Sequence, residues 1–283
     1  VTDVLRIWPE RPNRATLSFG SLITTGTYDA DLVGGNIVIG GNSPRLGEDF
    51  KADTKLLNYT DELASLYEGV QAHQHVLPSN WFDGSTFGNV MLVSGGSKNG
   101  ILTIGQDTIV DVGALGSFTF AGRQAEIDGT IRAAGGKVHI EALRSTAEAG
   151  SRNSVAWDAI PEADRPSIHL GETGVIDVAG RWTSDRVGGP DAFPVVNGGR
   201  VELISRTIVL DKGSLIDASG GGHLSANGKI KAGDGGSILI DTATPYINTI
   251  APAGLATGRL EMNGDIVAYA RGRGGSLTID TGD

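Results

Sequence analysis

Five times along this chain a glycine pair is followed by one polar residue and a short alternating run. The copies are Gly34-Gly35-Asn36-Ile37-Val38-Ile39, Gly135-Gly136-Lys137-Val138-His139-Ile140, Gly198-Gly199-Arg200-Val201-Glu202-Leu203, Gly235-Gly236-Ser237-Ile238-Leu239-Ile240 and Gly274-Gly275-Ser276-Leu277-Thr278-Ile279. Asn99-Gly100-Ile101-Leu102-Thr103-Ile104 is a copy with one glycine. A second phrase, apolar-Asp-small-x-Gly, is interleaved with the first. It reads Ile109-Val110-Asp111-Val112-Gly113, Val175-Ile176-Asp177-Val178-Ala179-Gly180 and Leu215-Ile216-Asp217-Ala218-Ser219-Gly220, with looser members at Ile127-Asp128-Gly129 and Asp265-Ile266-Val267-Ala268. The spacing is about 39 residues from Gly235 to Gly274 and about 37 from Gly198 to Gly235. From Gly135 to Gly198 it is about 63, and removing a non-repetitive stretch of about 24 residues (Leu143 to Pro166) restores the same period. A period of about 39, taken as two turns of about 19 residues, is the mark of a stacked solenoid.

The phrases also say which kind of solenoid. Apolar and polar side chains alternate within each run, so one set points inward and the other to water. The runs last four to six residues and end at glycine, which tolerates close backbone approach where a chain must bend. No Asn-Gly pair is closely flanked by two matched strands, so parallel coils are expected in place of hairpins. A flexible glycine-rich chain is disfavoured, because glycine falls at fixed offsets from Ile and Val and not in uniform tracts. The expectation is an all-β chain, a parallel β-helix (β-solenoid) running through residues 1–283 as a single segment.

Composition narrows the function. Glycine reaches 43 of 283 residues and the net charge is −10, with Lys and Arg scattered singly. Binding to nucleic acid or to anionic lipid needs clustered cations, so neither is an expected partner. No apolar stretch approaches membrane-spanning length, so no membrane insertion is expected. The chain has no cysteine. That suits a protein crossing an oxidising periplasm unfolded, and equally a core that needs no cross-link.

Two insertions interrupt the repeats, at 41–88 and 143–166, with a smaller loop at 181–197. In the first, Leu63, Leu66, Tyr67 and Val70 recur at helical spacing, with Asp61 and Glu62 in the first turn. This predicts a short amphipathic helix, capped by Asn58 or Thr60. The second holds Val155-Ala156-Trp157-Asp158-Ala159-Ile160, read as a short helix or turn that ends at Pro161.

The glycine-pair and Ile-Asp phrases, together with the opening Leu5-Arg6-Ile7-Trp8-Pro9-Glu10-Arg11-Pro12, resemble the filamentous haemagglutinin family of large bacterial exoproteins. The resemblance covers most of the chain outside the insertions. It implies a right-handed β-helix, exported through an outer-membrane secretion partner to the bacterial cell surface and the extracellular space. It also implies a role in adhesion, aggregation or biofilm attachment. The Asn-Pro-Asn-type motifs of that family's secretion domain are absent, so an internal segment of a longer exoprotein is expected.

For the sites, Asp111, Asp177 and Asp217 are equivalent positions. As a row of carboxylates they would suit a glycan-cleaving enzyme or a Ca²⁺ ladder. Because they define the repeat, corner-capping of backbone amides is the stronger expectation, and no catalytic residue, metal ligand or cofactor is assigned. His73 and His75 lie two apart with no third ligand nearby. The aromatics of the non-repeating segments, Tyr67, Trp81, Phe82, Trp157 and Trp182, are the candidate ligand-binding residues, since indole and phenol faces suit sugar rings and protein hot spots. Anchoring of the inserts to the rod is the competing role for the Trp residues. The function expected is a non-enzymatic adhesin rod whose insert loops attach to a surface glycan or protein. A β-helix polysaccharide lyase or hydrolase and a passive spacer stand as alternatives.

Overall fold

A computed structural model describes residues 15–20, 36–40, 74–84, 86–93, 100–143, 165–185, 194–242 and 258–281. The helix expected around residues 58–71 lies outside them. Among the described residues every regular element is a strand, apart from one 3-10 turn at Ser79–Trp81.

The chain begins with β1 (Ala15–Gly20), β2 (Asn36–Ile39) and β3 (Gln74–Leu77). It then runs through β4 (Phe87–Val93), β5 (Ile101–Ile104) and β6 (Ile109–Asp111), and through β7 (Ser117–Gly122), β8 (Gln124–Ile127) and β9 (Thr130–Arg132). The next circuit is β10 (Lys137–Ala142), β11 (Ser167–Leu170), β12 (Val175–Asp177) and β13 (Trp182–Ser184). It is followed by β14 (Arg200–Ser205), β15 (Thr207–Leu210), β16 (Leu215–Asp217), β17 (Gly222–Leu224) and β18 (Ile230–Ala232). The last elements are β19 (Ser237–Asp241), β20 (Arg259–Met262), β21 (Asp265–Val267) and β22 (Ser276–Asp280).

From β4 onward these strands are dealt in rotation to three parallel sheets. Sheet A stacks β1-β4-β7-β10-β14-β19-β22, sheet B stacks β3-β2-β5-β8-β11-β15-β20, and sheet C stacks β6-β9-β12-β16-β21. Stacked parallel sheets visited in this order are consistent with a β-helix or solenoid. A small fourth sheet, D, holds β13, β17 and β18, and its β17–β18 pair is antiparallel.

Register turns the alternation of the sequence into columns. In sheet A, Val90, Phe118, Val138, Val201 and Ile238 sit side by side, as do Leu92, Phe120, Ile140, Leu203 and Ile240. Sheet B adds Ile39, Ile104, Ile127, Leu170 and Leu210, and sheet C adds Val110, Ile131, Ile176 and Ile216. All of these side chains are at most 1% exposed and belong to one continuous core. Each contributes roughly 1.5–3 kcal/mol of burial, so the columns are the main source of cohesion between circuits. The columns continue to Leu277 and Ile279 on β22, where no described strand stacks beyond, and these remain 45% and 41% exposed.

Three expectations need correction. Arg200 pairs with Ser237, and Ser237 with Ser276, so each interval of 37–39 residues is one circuit and not two. Steps of about 20 residues occur where β5, β6 and β7 pair with β8, β9 and β10, from Ile101 to Gln124, Ile109 to Thr130 and Ser117 to Lys137. The seven strands of sheets A and B then stack over roughly 29 Å at ~4.8 Å per step. Second, the glycine phrases are not all equivalent: Ile37 and Ile101 begin sheet B runs, whereas Val138, Val201, Ile238 and Leu277 lie in sheet A. Third, β3 and the start of β4 fall inside 41–88 yet pair within sheets B and A, so that insertion ends before Gln74.

The glycine pair now has a physical reason. A Cβ on Gly136 would stand 2.1 Å from the Gly116 carbonyl oxygen, on Gly199 2.2 Å from that of Gly136, and on Gly236 1.9 Å from that of Gly199. On Gly275 it would stand 2.4 Å from the Gly236 oxygen. In these four pairs the second glycine therefore stacks directly on the glycine carbonyl one circuit below, where no side chain fits. The column extends to Gly116, which packs in the same way on Gly88, two members that lack the double-glycine signature.

Candidate functional site

The corner between sheets B and C is always short, two or four residues long, and closely packed. Gly129 there rests on the Gly105 and Thr108 carbonyls, and Gly174 on that of Ile127. The corner between sheets C and A is where the chain has room, and sheet D is built there. Among the described residues it carries the most exposed tryptophan of the molecule, Trp182 at 60%.

Trp182 is held in place by its neighbours. It pairs with Gly222, and a Cβ at Gly222 would stand 2.5 Å from Trp182 Cζ3 and 2.9 Å from Cε3 and Cη2. The six-membered ring of the indole thus lies on the bare Gly222 backbone, with one face covered and the other open. Period-two alternation and the register place Ser184, Leu224, Ile230 and Ala232 on the same side of the sheet, and Ile230 is 47% exposed. The opposite side is pinned. His223 is 8% exposed, with Nδ1 2.9 Å from the Thr183 hydroxyl and Nε2 3.2 Å from Asp185 Oδ1. The Asp185 amide donates to the Leu224 carbonyl, and Asp185 Oδ2 accepts from the Ala226 amide at 2.9 Å. This is a small flap whose outer face is largely apolar and aromatic and whose opposite side is held by hydrogen bonds.

The other candidate aromatics divide. Phe82 is 2% exposed and part of the core, so it offers no ring face to a ligand; its place beside the insertion misled the expectation that it binds one. Trp81 packs half-buried against the same core, which is the anchoring role. Tyr67 and Trp157 lie outside the described residues. Of the three described, Trp81 and Phe82 sit against the core and Trp182 on sheet D, so these three do not form one site. Gly222, Ile230 and Leu224 are the partners of Trp182 that the sequence did not single out, although Gly220-Gly221-Gly222 next to the Ile-Asp phrase was a visible signal of close backbone approach.

The aspartate row is a structural feature. Asp111, Asp177 and Asp217 occupy the same column of sheet C. Their Oδ1 atoms accept from the amides of Gly113 at 2.6 Å, Ala179 at 3.0 Å and Ser219 at 2.8 Å, the Asx turn that closes each corner. Arg132 takes the column position between the first two, with Nε 3.3 Å from Asp177 Oδ2 and Nη1 3.9 Å from Asp111 Oδ2, and so separates their charges. His75 lies on β3, and His73 is outside the described residues. Among the described residues no three His, Asp or Glu side chains form a group suited to a metal ion, and no helix is long and apolar enough to cross a membrane.

Two histidine clusters lie on the outward faces. On sheet A, the Glu202 carboxylate is met by Lys137 Nζ at 2.6 Å, His139 Nδ1 at 2.8 Å and the Arg200 guanidinium. Burial works to raise the Glu202 pKa, but Lys137, His139 and Arg200 outweigh it and hold the carboxyl below its usual range. Glu141, against the opposition of burial and together with Glu202, lifts the His139 imidazole above the ordinary histidine value. On sheet B, burial pulls His169 down, but Asp211 and Glu126 together raise it. Compared with known proteins, the chain matches no family model, no curated protein and no solved structure.

Proposed function

We propose that the chain is a right-handed parallel β-helix rod, a segment of a secreted, non-enzymatic adhesin of the filamentous haemagglutinin type, exported through an outer-membrane partner. In this reading it attaches the bacterial surface to a glycan or protein through the sheet D flap. The observation that carries the reading is the exposed indole of Trp182, seated on Gly222, on the same side of sheet D as Leu224 and the exposed Ile230. An aromatic ring that is already immobilised loses little conformational entropy on binding, and stacks on a sugar ring or fills a protein pocket. In this reading the sheet D flap, which joins β13 of the smaller loop (181–197) to β17 and β18, is the binding element of the rod. The rotation of the chain through three sheets around a single apolar core supports the rod itself.

The test is binding of the whole chain, wild type and Trp182→Ala, to a glycan array and to surface-displayed proteins, with far-UV circular dichroism on both. Loss of about 2 kcal/mol, some thirtyfold in affinity, is expected for the variant with an unchanged spectrum. Equal binding by the two proteins would take the function away from the flap. New reducing or unsaturated ends released from a bound glycan would make the chain an enzyme.

A further inference from the structure

His169 is placed where a neutral imidazole is badly matched. It stands on the outward face of β11, in register with Glu126 on β8, and its Nδ1 lies 2.9 Å from Glu126 Oε2. On the other side, Asp211 follows the end of β15, and its Oδ2 lies 2.8 Å from His169 Nε2. Both ring nitrogens thus face carboxylate oxygens at hydrogen-bond distance, and an ionised carboxylate only accepts. A neutral imidazole has one N–H to give, which leaves a nitrogen lone pair against the second carboxylate. The imidazolium has two donors and satisfies both. The charged groups that act on it are Glu126 from β8 and Asp211 from β15, while β11 (Ser167-Ile168-His169-Leu170) contributes no other ionisable side chain. Glu126 and His169 lie on neighbouring strands of sheet B and Asp211 just past the end of the next, in the order β8-β11-β15.

We propose that Glu126, His169 and Asp211 form a proton-operated clamp that ties three successive circuits of the rod together in mildly acidic solution and loosens as the imidazole loses its proton. The side chains are 34–39% exposed, so the proton exchanges freely with solvent and the clamp follows the surrounding pH. Geometry and proton affinity agree in direction: the pKa of His169 is raised above that of free histidine. A raised folded-state value means the stabilisation is complete below the unfolded pKa of about 6.5 and disappears as pH climbs through the folded value. Loss of the proton leaves two carboxylates about an imidazole's width apart, a repulsion across the same strand pairs that the core columns hold.

The experiment is a histidine NMR titration of the whole chain with the isosteric variants Glu126→Gln and Asp211→Asn, together with urea unfolding at pH 6 and pH 8.5. The expected result is that the His169 ring signals titrate above about 6.5 in the wild type and move down in each variant. Wild type should then lose more of its urea midpoint between the two pH values than His169→Gln does. The unfolding constant should change about tenfold for each unit by which the clamp raises proton affinity. Amide exchange in β11 and β15, corrected for intrinsic rate, should accelerate at the higher pH more than in β7. A wild-type His169 that titrates at or below the free value overturns the proposal, and so does His169→Gln retaining the full pH dependence. Should the His169 variant fail to fold, the ring titration in Glu126→Gln and Asp211→Asn decides alone.

Discussion

The glycine column makes a prediction that the two neighbouring glycines of the last phrase, Gly274 and Gly275, should answer oppositely. In Gly199→Ala the new Cβ would lie 2.2 Å from the Gly136 oxygen, 2.8 Å from the Gly136 nitrogen and 3.0 Å from the Gly135 carbonyl carbon. All three are backbone atoms, so no side chain can swing aside. Relief needs more than 1 Å of separation between circuits held ~4.8 Å apart by the β10–β14 ladder of six paired residues. The strain of forcing atoms into packed space is typically 1–3 kcal/mol. The hydrogen bond from the Arg200 amide to that same Gly136 oxygen, 2.8 Å long, stretches or breaks for about 1 kcal/mol more. Against this, Gly→Ala removes unfolded-state freedom in favour of folding by about 0.4–1 kcal/mol. The balance is a loss of roughly 2–3 kcal/mol for Gly199→Ala, and the same for Gly236→Ala and Gly275→Ala. A Cβ on Gly274 meets nothing within 4 Å, so Gly274→Ala should be neutral or gain up to about 1 kcal/mol. Urea unfolding of the whole chain, followed by far-UV circular dichroism, measures both. Equal losses for Gly274→Ala and its neighbour Gly275→Ala, or less than about 1 kcal/mol for Gly199→Ala, would refute the stacking account.

The remaining predictions concern the core, the corners, the charge cluster and the flap. Phe120→Ala removes a fully buried ring from the sheet A column and should cost about 3–5 kcal/mol in the same unfolding experiment. Asp217→Ala leaves the Ser219 amide without its 2.8 Å acceptor and should cost about 1 kcal/mol, whereas Asp217→Asn, which keeps an oxygen there, should cost less. Glu202 has a lowered pKa, so its stabilisation is present above the usual carboxylate range and is lost as pH falls through the lower folded value; Glu202→Gln should flatten the acid limb of stability against pH and cost about 1–2 kcal/mol at pH 7. Gly222→Ala should displace the indole and weaken ligand binding as Trp182→Ala does, while leaving Trp182 in the chain; fluorescence emission and the binding assay read both effects.

The inward-facing columns were legible because period-two alternation is local: Val138 and Ile140 point inward wherever the run is stacked, and the all-β expectation needed nothing further. The Asx-turn role of Asp111, Asp177 and Asp217 was legible for the same reason, since the acceptor and the amide it caps are two residues apart. The length of a circuit was not. It depends on which strands become neighbours, and the sequence prints the same Gly-Gly-x-apolar signature before a sheet A strand at Val201 and a sheet B strand at Ile37. Gly88 and Gly116 were invisible as members of the column because neither stands in a double-glycine phrase, and the column itself needs only one glycine per strand. Phe82 and Trp182 show the limit for sites. Both are aromatics beside irregular segments, and only the third dimension puts one in the core and the other on Gly222.

The unequal circuits follow from how tightly each corner is packed. Between sheets B and C the link is two or four residues throughout, because Gly129, Gly174 and Gly264 touch backbone or Ser214 at distances that leave no room for growth. Between A and B the link is the single residue Arg123 or Arg206 in two circuits, both under 9% exposed, and a long segment in the circuits that follow each. Between C and A it lengthens into the flap. Added chain therefore falls in the links of two corners, while the third corner and the core columns keep their register. Variation at those two edges leaves the columns intact, since the strands on either side still stack on the same glycines. Sheets stacked this way separate the residues that set stability from those free to meet a partner, which is why the exposed Trp182 belongs to an expanded corner.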